Sequence, residues 1–314
     1  MTTITSKVAA ATLAAAALAG PLAAAAQARP AVAATIATEQ RAAPVFSYGG
    51  VIAWSDYSDG AFHLMLDQGG KITPAPVPSS PTPFDVDLGT NRAGHLVAVY
   101  SHSGALHELD IAAGTSKQLH PGVSGRLSHP TMSAARYAFV ARRQGRDVLY
   151  LRTVDHGTRA MFTAGTSSQS SITSPRLSDK RLAYVTSGPA RYGRLENLRV
   201  QTLSARRSKV VYSARSGSLN FASIVGPGFD TSGTHLYWAR RNLGSGAGNR
   251  YIRLTVSSGR LAYAQGTNRL YSTSWADNAD GFASVIAGSN DDPSAPGSPT
   301  TVVLTGPLAF TAGP

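Results

Sequence analysis

The sequence predicts an all-β protein, a six-bladed β-propeller of four-stranded antiparallel blades behind a secretory signal peptide. Three observations predict it: a repeat of about forty-five residues, hairpin chemistry at each joint of that repeat, and no helical periodicity after the first twenty-eight residues. Composition agrees. With 15% charged and 42% hydrophobic residues, 31 Gly and 18 Pro, the 314-residue chain is neither a coiled coil nor wholly disordered.

Residues 1–28 read as the signal peptide. Lys7 supplies the positive start, Val8 to Leu18 the apolar run, and Ala26-Gln27-Ala28 a small-x-small cleavage site. Gly20-Pro21 breaks the apolar run short of the roughly 18–20 residues a membrane span needs, so no span is expected once the signal is removed. Residues 29–44 are rich in Ala without pattern and read as a flexible leader, with the propeller over 45–314.

The repeat announces itself through short strands: Ile52-Ala53-Trp54-Ser55, Leu96-Val97-Ala98-Val99, Tyr137-Ala138-Phe139-Val140, Leu182-Ala183-Tyr184-Val185 and Leu236-Tyr237-Trp238-Ala239. Four of the five place an aromatic at the third position, Ala98 being the exception. Residues two apart share a strand face, so the pattern buries one face against a neighbouring sheet. Turn-rich approaches such as Leu177-Ser178-Asp179 precede the strands, and hairpin pairs such as Asp59-Gly60 and Gln144-Gly145 follow them. A third strand (Phe62 to Leu66, Val148 to Leu151), a second turn and a more polar fourth strand complete each unit. The 270 residues from Val45 onward divide into six such units. The last is irregular: Leu270 to Trp275, Phe282 to Ala287 and Thr301 to Leu304 supply three strands, and Val45 to Tyr48 is expected to complete it and close the ring.

These residues resemble the TolB-like six-bladed β-propeller superfamily, itself similar to WD-repeat propellers. Pro175, Ser178, Asp179, Leu182, Ala183 and Tyr184 match its repeat in one unit, and Pro130, Ser133, Tyr137, Ala138, Phe139 and Leu149-Tyr150-Leu151 in the unit before. Pro227, Asp230, Ser232, Gly233, Leu236, Tyr237 and Trp238 match more loosely. The resemblance covers about four repeats and implies a fold, since members of that superfamily differ in function.

Candidate chemistry is sparse. Without cysteine there are no disulfides, thiolate metal sites or cysteine nucleophiles. His107-Glu108-Leu109-Asp110 lacks the second histidine of a zinc-protease helix, no Gly-x-Ser-x-Gly elbow occurs, and Gly244 to Gly248 precedes a strand where a phosphate loop precedes a helix. His95, His102, His107, His120 and His129 cluster in sequence, but the hairpins between them give no reason to converge, so no metal and no cofactor are expected. Asp85-Val86-Asp87 falls on an innermost strand with both carboxylates aimed one way. Asp85 and Asp87 are therefore candidate channel ligands, able to hold a cation or a basic ligand group, or else to cap turns or pair with Arg176 on the matching approach of another blade. Trp54, Phe139, Tyr184 and Trp238 are expected in the core, while Tyr57, Tyr192 and Trp275 are candidates for a contact surface.

The 29 basic and 17 acidic residues give a net charge of +12, of which the signal removes only Lys7. The pairs Arg142-Arg143, Arg206-Arg207 and Arg240-Arg241 are dispersed, so no nucleic-acid partner is expected; an envelope protein or an anionic cell-surface polymer fits better. The reading is thus an exported, monomeric, non-enzymatic binding or scaffold module in the cell envelope or outside the cell, with no catalytic residue assigned. The alternative is a carbohydrate-active lyase or hydrolase with its site at the channel mouth.

Overall fold

The structure is a computed structural model. It describes residues 34–312 other than 135, 154, 192, 217–221, 231, 243–248, 266–269, 276–281, 288–299, 306, 307 and 309. The signal-peptide assignment therefore lies outside the described residues. Ala31–Pro314 forms one compact unit, and among its described residues no helix is long and apolar enough to cross a membrane.

Twenty-five strands build six antiparallel sheets among the described residues. The first sheet holds β2 (Phe46–Tyr48), β3 (Val51–Ser58), β4 (Ala61–Gln68) and β5 (Lys71–Pro74), and β1 (Ala34–Glu39) precedes it in the chain. The second holds β6 (Asp85–Thr90), β7 (Leu96–His102), β8 (Ala105–Asp110) and β9 (Thr115–Leu119). The third is β10 (Arg126–Ser133), β11 (Arg136–Arg143), β12 (Arg146–Thr153) and β13 (Gly157–Thr163). The fourth is β14 (Ser171–Leu177), β15 (Arg181–Ala190), β16 (Gly193–Thr202) and β17 (Lys209–Ser216). The fifth runs β18 (Ala222–Phe229), β19 (His235–Asn242), β20 (Arg250–Thr255) and β21 (Arg260–Gln265). All five are contiguous four-strand meanders. The sixth is composite: β22 (Leu270–Trp275), β23 (Phe282–Ala287) and β24 (Thr300–Thr305) with β1 on the outside, while β25 (Thr311–Ala312) returns to extend the fifth sheet beside β21.

The first strands β2, β6, β10, β14, β18 and β22 touch one another in that order, and β22 touches β2. They line a central channel. This is a β-propeller with four-stranded antiparallel blades. Its hairpins turn where the sequence placed them: Asp59-Gly60, Ser103-Gly104 and Gln144-Gly145 all adopt positive φ at both residues, the conformation a two-residue hairpin of the I′ type demands.

The repeated strand is buried on both faces, and the two faces differ in size. Ile52 and Trp54 pack towards the composite sheet and its Val302, whereas Val51 and Ala53 pack towards Val86, Leu88 and Tyr100 of the second sheet. Tyr184 and Trp238 likewise meet the preceding sheet, and Ala183 and Ala239 the following one. Where Tyr184 meets Ala138 and Trp238 meets Ala183, an aromatic face lies against a small-residue face, which lets neighbouring sheets interdigitate at interior density. Trp54, Phe139, Tyr184 and Trp238 are at most 1% exposed. In the second sheet Ala98 occupies the aromatic position and Tyr100, two residues on, fills the same seam.

Two boundary expectations need correction. Residues 34–39 of the supposed flexible leader are a strand, registered on β24 from Ala34 opposite Leu304 to Glu39 opposite Thr300, with a bulge between Thr35 and Ala37. The alternation Thr-Ile-Ala-Thr satisfies the open edge of β24 and places Ile36 against the Trp54 cluster. Val45 to Tyr48 does not complete the last sheet; Phe46–Tyr48 pairs with β3 as the innermost strand of the first. The chain ends do meet in the composite sheet, through a different segment.

Candidate functional site

Three consecutive innermost strands carry the same irregularity. Pairing shifts between Ser128 and Thr131 in β10, between Thr173 and Arg176 in β14, and between Val225 and Gly228 in β18. At each shift a residue with φ near +50° precedes a proline: His129-Pro130, Ser174-Pro175 and Gly226-Pro227. A bulge re-aims side chains, and a non-glycine residue held at positive φ before proline stores backbone strain. In β18 only glycine fits, because a Cβ on Gly226 would lie 1.8 Å from the Thr273 carbonyl oxygen of β22. Histidine and serine occupy the position in the other two strands.

These bulges line the wider end of the channel, a cavity of about 460 Å³ whose wall includes Asp85, His129, Ser174, Arg176, Glu196 and Arg241. A second cavity of about 240 Å³, with Asp87, Arg176, Asp179 and Trp275 in its wall, forms the other end. Arg176 borders both.

The three predicted site residues come together. Asp85 and Asp87 both reach across the seam to β10. Asp85 Oδ2 accepts the backbone N–H of His129, left unpaired by the bulge, and lies 2.9 Å from His129 Nδ1. Asp87 Oδ2 accepts from the Thr131 hydroxyl at 2.7 Å and the Met132 N–H at 3.1 Å, while its Oδ1 sits 4.0 Å from Arg176 Nη1. Thr131 in turn accepts from Leu177 N of the fourth sheet. Arg176 donates to its neighbour's carbonyl, that of Pro175, at 2.9 Å and lies over the Phe46 ring at 5.3 Å.

Burial opposes ionisation of all three titrating groups, with different outcomes. For Asp85 the His129 charge and hydrogen bonds outweigh burial and hold the carboxyl below its ordinary range. For His129 burial is likewise outweighed by Asp85, and the ring titrates above its ordinary value. For Asp87 burial prevails over Arg176 and its hydrogen bonds, and the carboxyl titrates above its ordinary value. The Asp85–His129 pair stabilises the fold between these limits: Asp85's share is lost as pH falls below 3.8 and His129's as pH rises beyond 6.5.

The same device recurs around the ring. Ser55 Oγ accepts from Phe84 N, Asp147 Oδ2 from Ile172 N and Glu196 Oε2 from Ile224 N, each reaching from one sheet to the innermost strand of the next or its approach. Ser272 and Ser274 of β22 accept from Val45 N and Ser47 N and stitch the composite sheet to the first. The channel carboxylates belong to this girdle.

The carboxylates of Asp85 and Asp87 do not stand alone: they pair with His129 and Arg176. Nor do the clustered histidines converge. His95 bonds Asp110 at 2.8 Å, His102 and His107 meet edge to face with ring centres 6.2 Å apart, and His129 alone of the five borders the wide cavity. Among the described residues no group of three or more His, Cys, Asp or Glu could hold a metal ion. Trp275 is no contact surface: it is buried, and its Nε1 donates to Gly226 O at 2.8 Å. Tyr57 lies under Arg41 at 3.6 Å, and Tyr192 and Gly244 to Gly248 fall outside the described residues. His129 and the bulges were missed as site features, although His-Pro, Ser-Pro and Gly-Pro at matching repeat positions were a visible clue.

Fold and channel together define the class of protein, a β-propeller with a polar channel. No known protein family matches the sequence, and neither does any curated protein. Solved structures do resemble it. A chain of the nidogen/laminin complex superposes with TM-score 0.52 at 10% identity, over 76% of this chain and 86% of that one. The calcium-binding protein regucalcin from Agrobacterium tumefaciens gives 0.52 at 14%, over 90% and 97%. A puromycin-hydrolysing peptidase from Mycobacterium tuberculosis gives 0.50 at 12%, over 78% of this chain and 49% of the peptidase, so the chain spans about half its length. At such identities the likeness concerns the fold alone.

Proposed function

We propose that the chain is a six-bladed propeller of the TolB-like kind, with the composite sheet as its sixth blade, exported to the cell envelope or beyond. It acts there as a monomeric, non-catalytic module that binds an envelope protein or an anionic cell-surface polymer. The blade count is supported by the cyclic order of six innermost strands. Binding rather than catalysis is supported by one observation: the channel carboxylates are spent on neighbouring strands and on His129 and Arg176, so neither stands as a free general acid or base at the cavity. The test is capture from the protein's own cell envelope, run beside a glycan array. Saturable retention of one partner or glycan class without turnover is the expected result, and no retention on either overturns the reading.

A lyase or hydrolase acting on carbohydrate at the channel mouth is the second reading, favoured by Asp85 against His129 at 2.9 Å beside the wide cavity. A carboxylate orienting an imidazole is half of a general-base device. Release of oligosaccharides from an array glycan, abolished in His129→Gln, would establish it in place of the first.

A further inference from the structure

The binding proposed above needs a site, and the wide mouth has chemistry specific enough to name what it takes. We propose that it is an oxyanion site in which Arg176, His129 and Ser174 hold a carboxylate, sulfate or phosphate group of the ligand. The inference rests on that reading and assigns its ligand class.

His129 and Arg176 sit at the bulges of adjacent strands, β10 and β14, and both border the cavity. Each is held on one side only. His129 gives Nδ1 to Asp85, and Arg176 gives Nη1 to the Pro175 carbonyl and to Asp87 at 4.0 Å. Among the described residues His129 Nε2, Arg176 Nε and Nη2, and the Ser174 hydroxyl have no hydrogen-bond partner. These donors come from one short arc of the wall. The Arg176 charge works against protonation of His129, so the two cations sense each other across the arc. An anion between them would relieve that repulsion and accept their unspent hydrogens, charge-assisted bonds being about twice as strong as neutral ones.

The remaining charges do not reverse this preference. Asp85 is neutralised by His129, and Asp147 adds only a distant attraction for the ring. Glu196 accepts the Ile224 N–H, and Arg241, which donates to Ser223 at 3.2 Å, adds a further positive group to the wall. A cationic ligand would have to displace His129 or Arg176 from the carboxylates that hold them. The volume of about 460 Å³ lies within the roughly 300–1,000 Å³ of small-molecule sites. Strained bulges at a cavity wall are the kind of local cost that persists where side chains must be aimed.

The test follows the His129 ring by NMR in the wild-type protein near pH 6, with the signal assigned through His129→Gln. Sulfate, inorganic phosphate and galacturonate are titrated separately, with galactose as the neutral counterpart of galacturonate. At least one anion should shift the ring signal saturably and raise the pH at which it titrates, as linkage requires, while galactose leaves it unmoved. Arg176→Gln should weaken that anion about tenfold or more, and Arg176→Lys, which keeps a counter-ion for Asp87, should weaken it less. If no anion moves the ring, the inference is overturned. If galactose binds as well as galacturonate, the oxyanion assignment falls while the mouth stands as a ligand site. Sulfate and phosphate binding without galacturonate would point to free or ester-linked inorganic anions instead of acidic sugars.

Discussion

Trp54 and Trp238 occupy the same position of the repeat, in the first and fifth sheets, and both are fully buried against the preceding sheet. Their polar atoms meet different fates. Trp54 Nε1 donates to Glu39 Oε1 at 2.6 Å, whereas Trp238 Nε1 has no partner among the described residues. A buried N–H without a partner costs about 1–3 kcal/mol, yet the indole is present in both places. The position therefore selects for aromatic area and shape. The hydrogen bond is an addition found where the ring closes, because Glu39 comes from β1, the strand that joins the composite sheet to the rest of the chain.

Truncation should have the largest effect. Trp54→Ala and Trp238→Ala each remove a buried indole and leave a cavity, at a cost of about 3–5 kcal/mol in urea unfolding. Their secondary consequences should differ. Loss of Trp54 also removes the indole donor of Glu39 and the packing under β1, so limited proteolysis should cut near residues 34–44 in Trp54→Ala and leave that stretch intact in Trp238→Ala. Equal protection in both variants would make the closing seam no different from the contiguous ones.

Replacement by phenylalanine is milder and isolates the hydrogen bond. Trp54→Phe and Trp238→Phe lose similar area, but only the first strips Glu39 of its donor, and only the second removes an unsatisfied one. Trp54→Phe should be the more destabilising of the two by about 1–3 kcal/mol. Equal losses would mean that the indole N–H of Trp54 contributes nothing to closure.

The same contrast marks what was legible in the sequence. Leu182-Ala183-Tyr184 and Leu236-Tyr237-Trp238 reveal a strand with one buried face because the i, i+2 pattern is local, and Asp59-Gly60 reveals a hairpin because positive φ suits its residues; that the other face is buried too emerges only from the packed sheets. The i, i+2 spacing of Asp85 and Asp87 reads as one face of an innermost strand, and Arg176 falls at the matching position of another unit. What stayed hidden depends on partners far along the chain. Nothing near Ala34–Glu39 says that its edge is shared with residues 300–304, and an Ala-rich stretch without turn residues reads equally well as a linker. His129 was grouped with histidines close in sequence, whereas its partner Asp85 lies 44 residues away on the neighbouring sheet. Seam contacts join residues one repeat apart, so they become readable only once the repeat is in register.

The smallest expected effect concerns acidity at the closing seam, and it can be assigned to a single carboxyl. Glu39 is raised from 4.5 to about 7, first by burial and then by its hydrogen bond and charge interaction with Asp56, while the Trp54 donor works in the opposite direction. His63 stands opposite Asp56 in the ladder, and Arg41 caps Tyr57 on the same strand. A carboxyl whose folded value exceeds its unfolded value binds its proton more tightly in the native state. Below pH 4.5 both states are protonated and the interaction is intact; between 4.5 and about 7 the unfolded chain ionises first, so stability falls as pH rises. Discounted for solvent screening, the loss between pH 5 and 8 should be about 1–2 kcal/mol. Glu39→Gln keeps an acceptor for Trp54 and cannot ionise, so its stability should decline less over that interval by the same amount. A residual decline above pH 6.5 is expected in both proteins, because His129 also loses its proton there and with it the attraction of Asp85. If wild type and Glu39→Gln decline in parallel from pH 5 to 8, Glu39 does not hold its proton in the folded protein over that interval, and the closing seam has no acidity of its own.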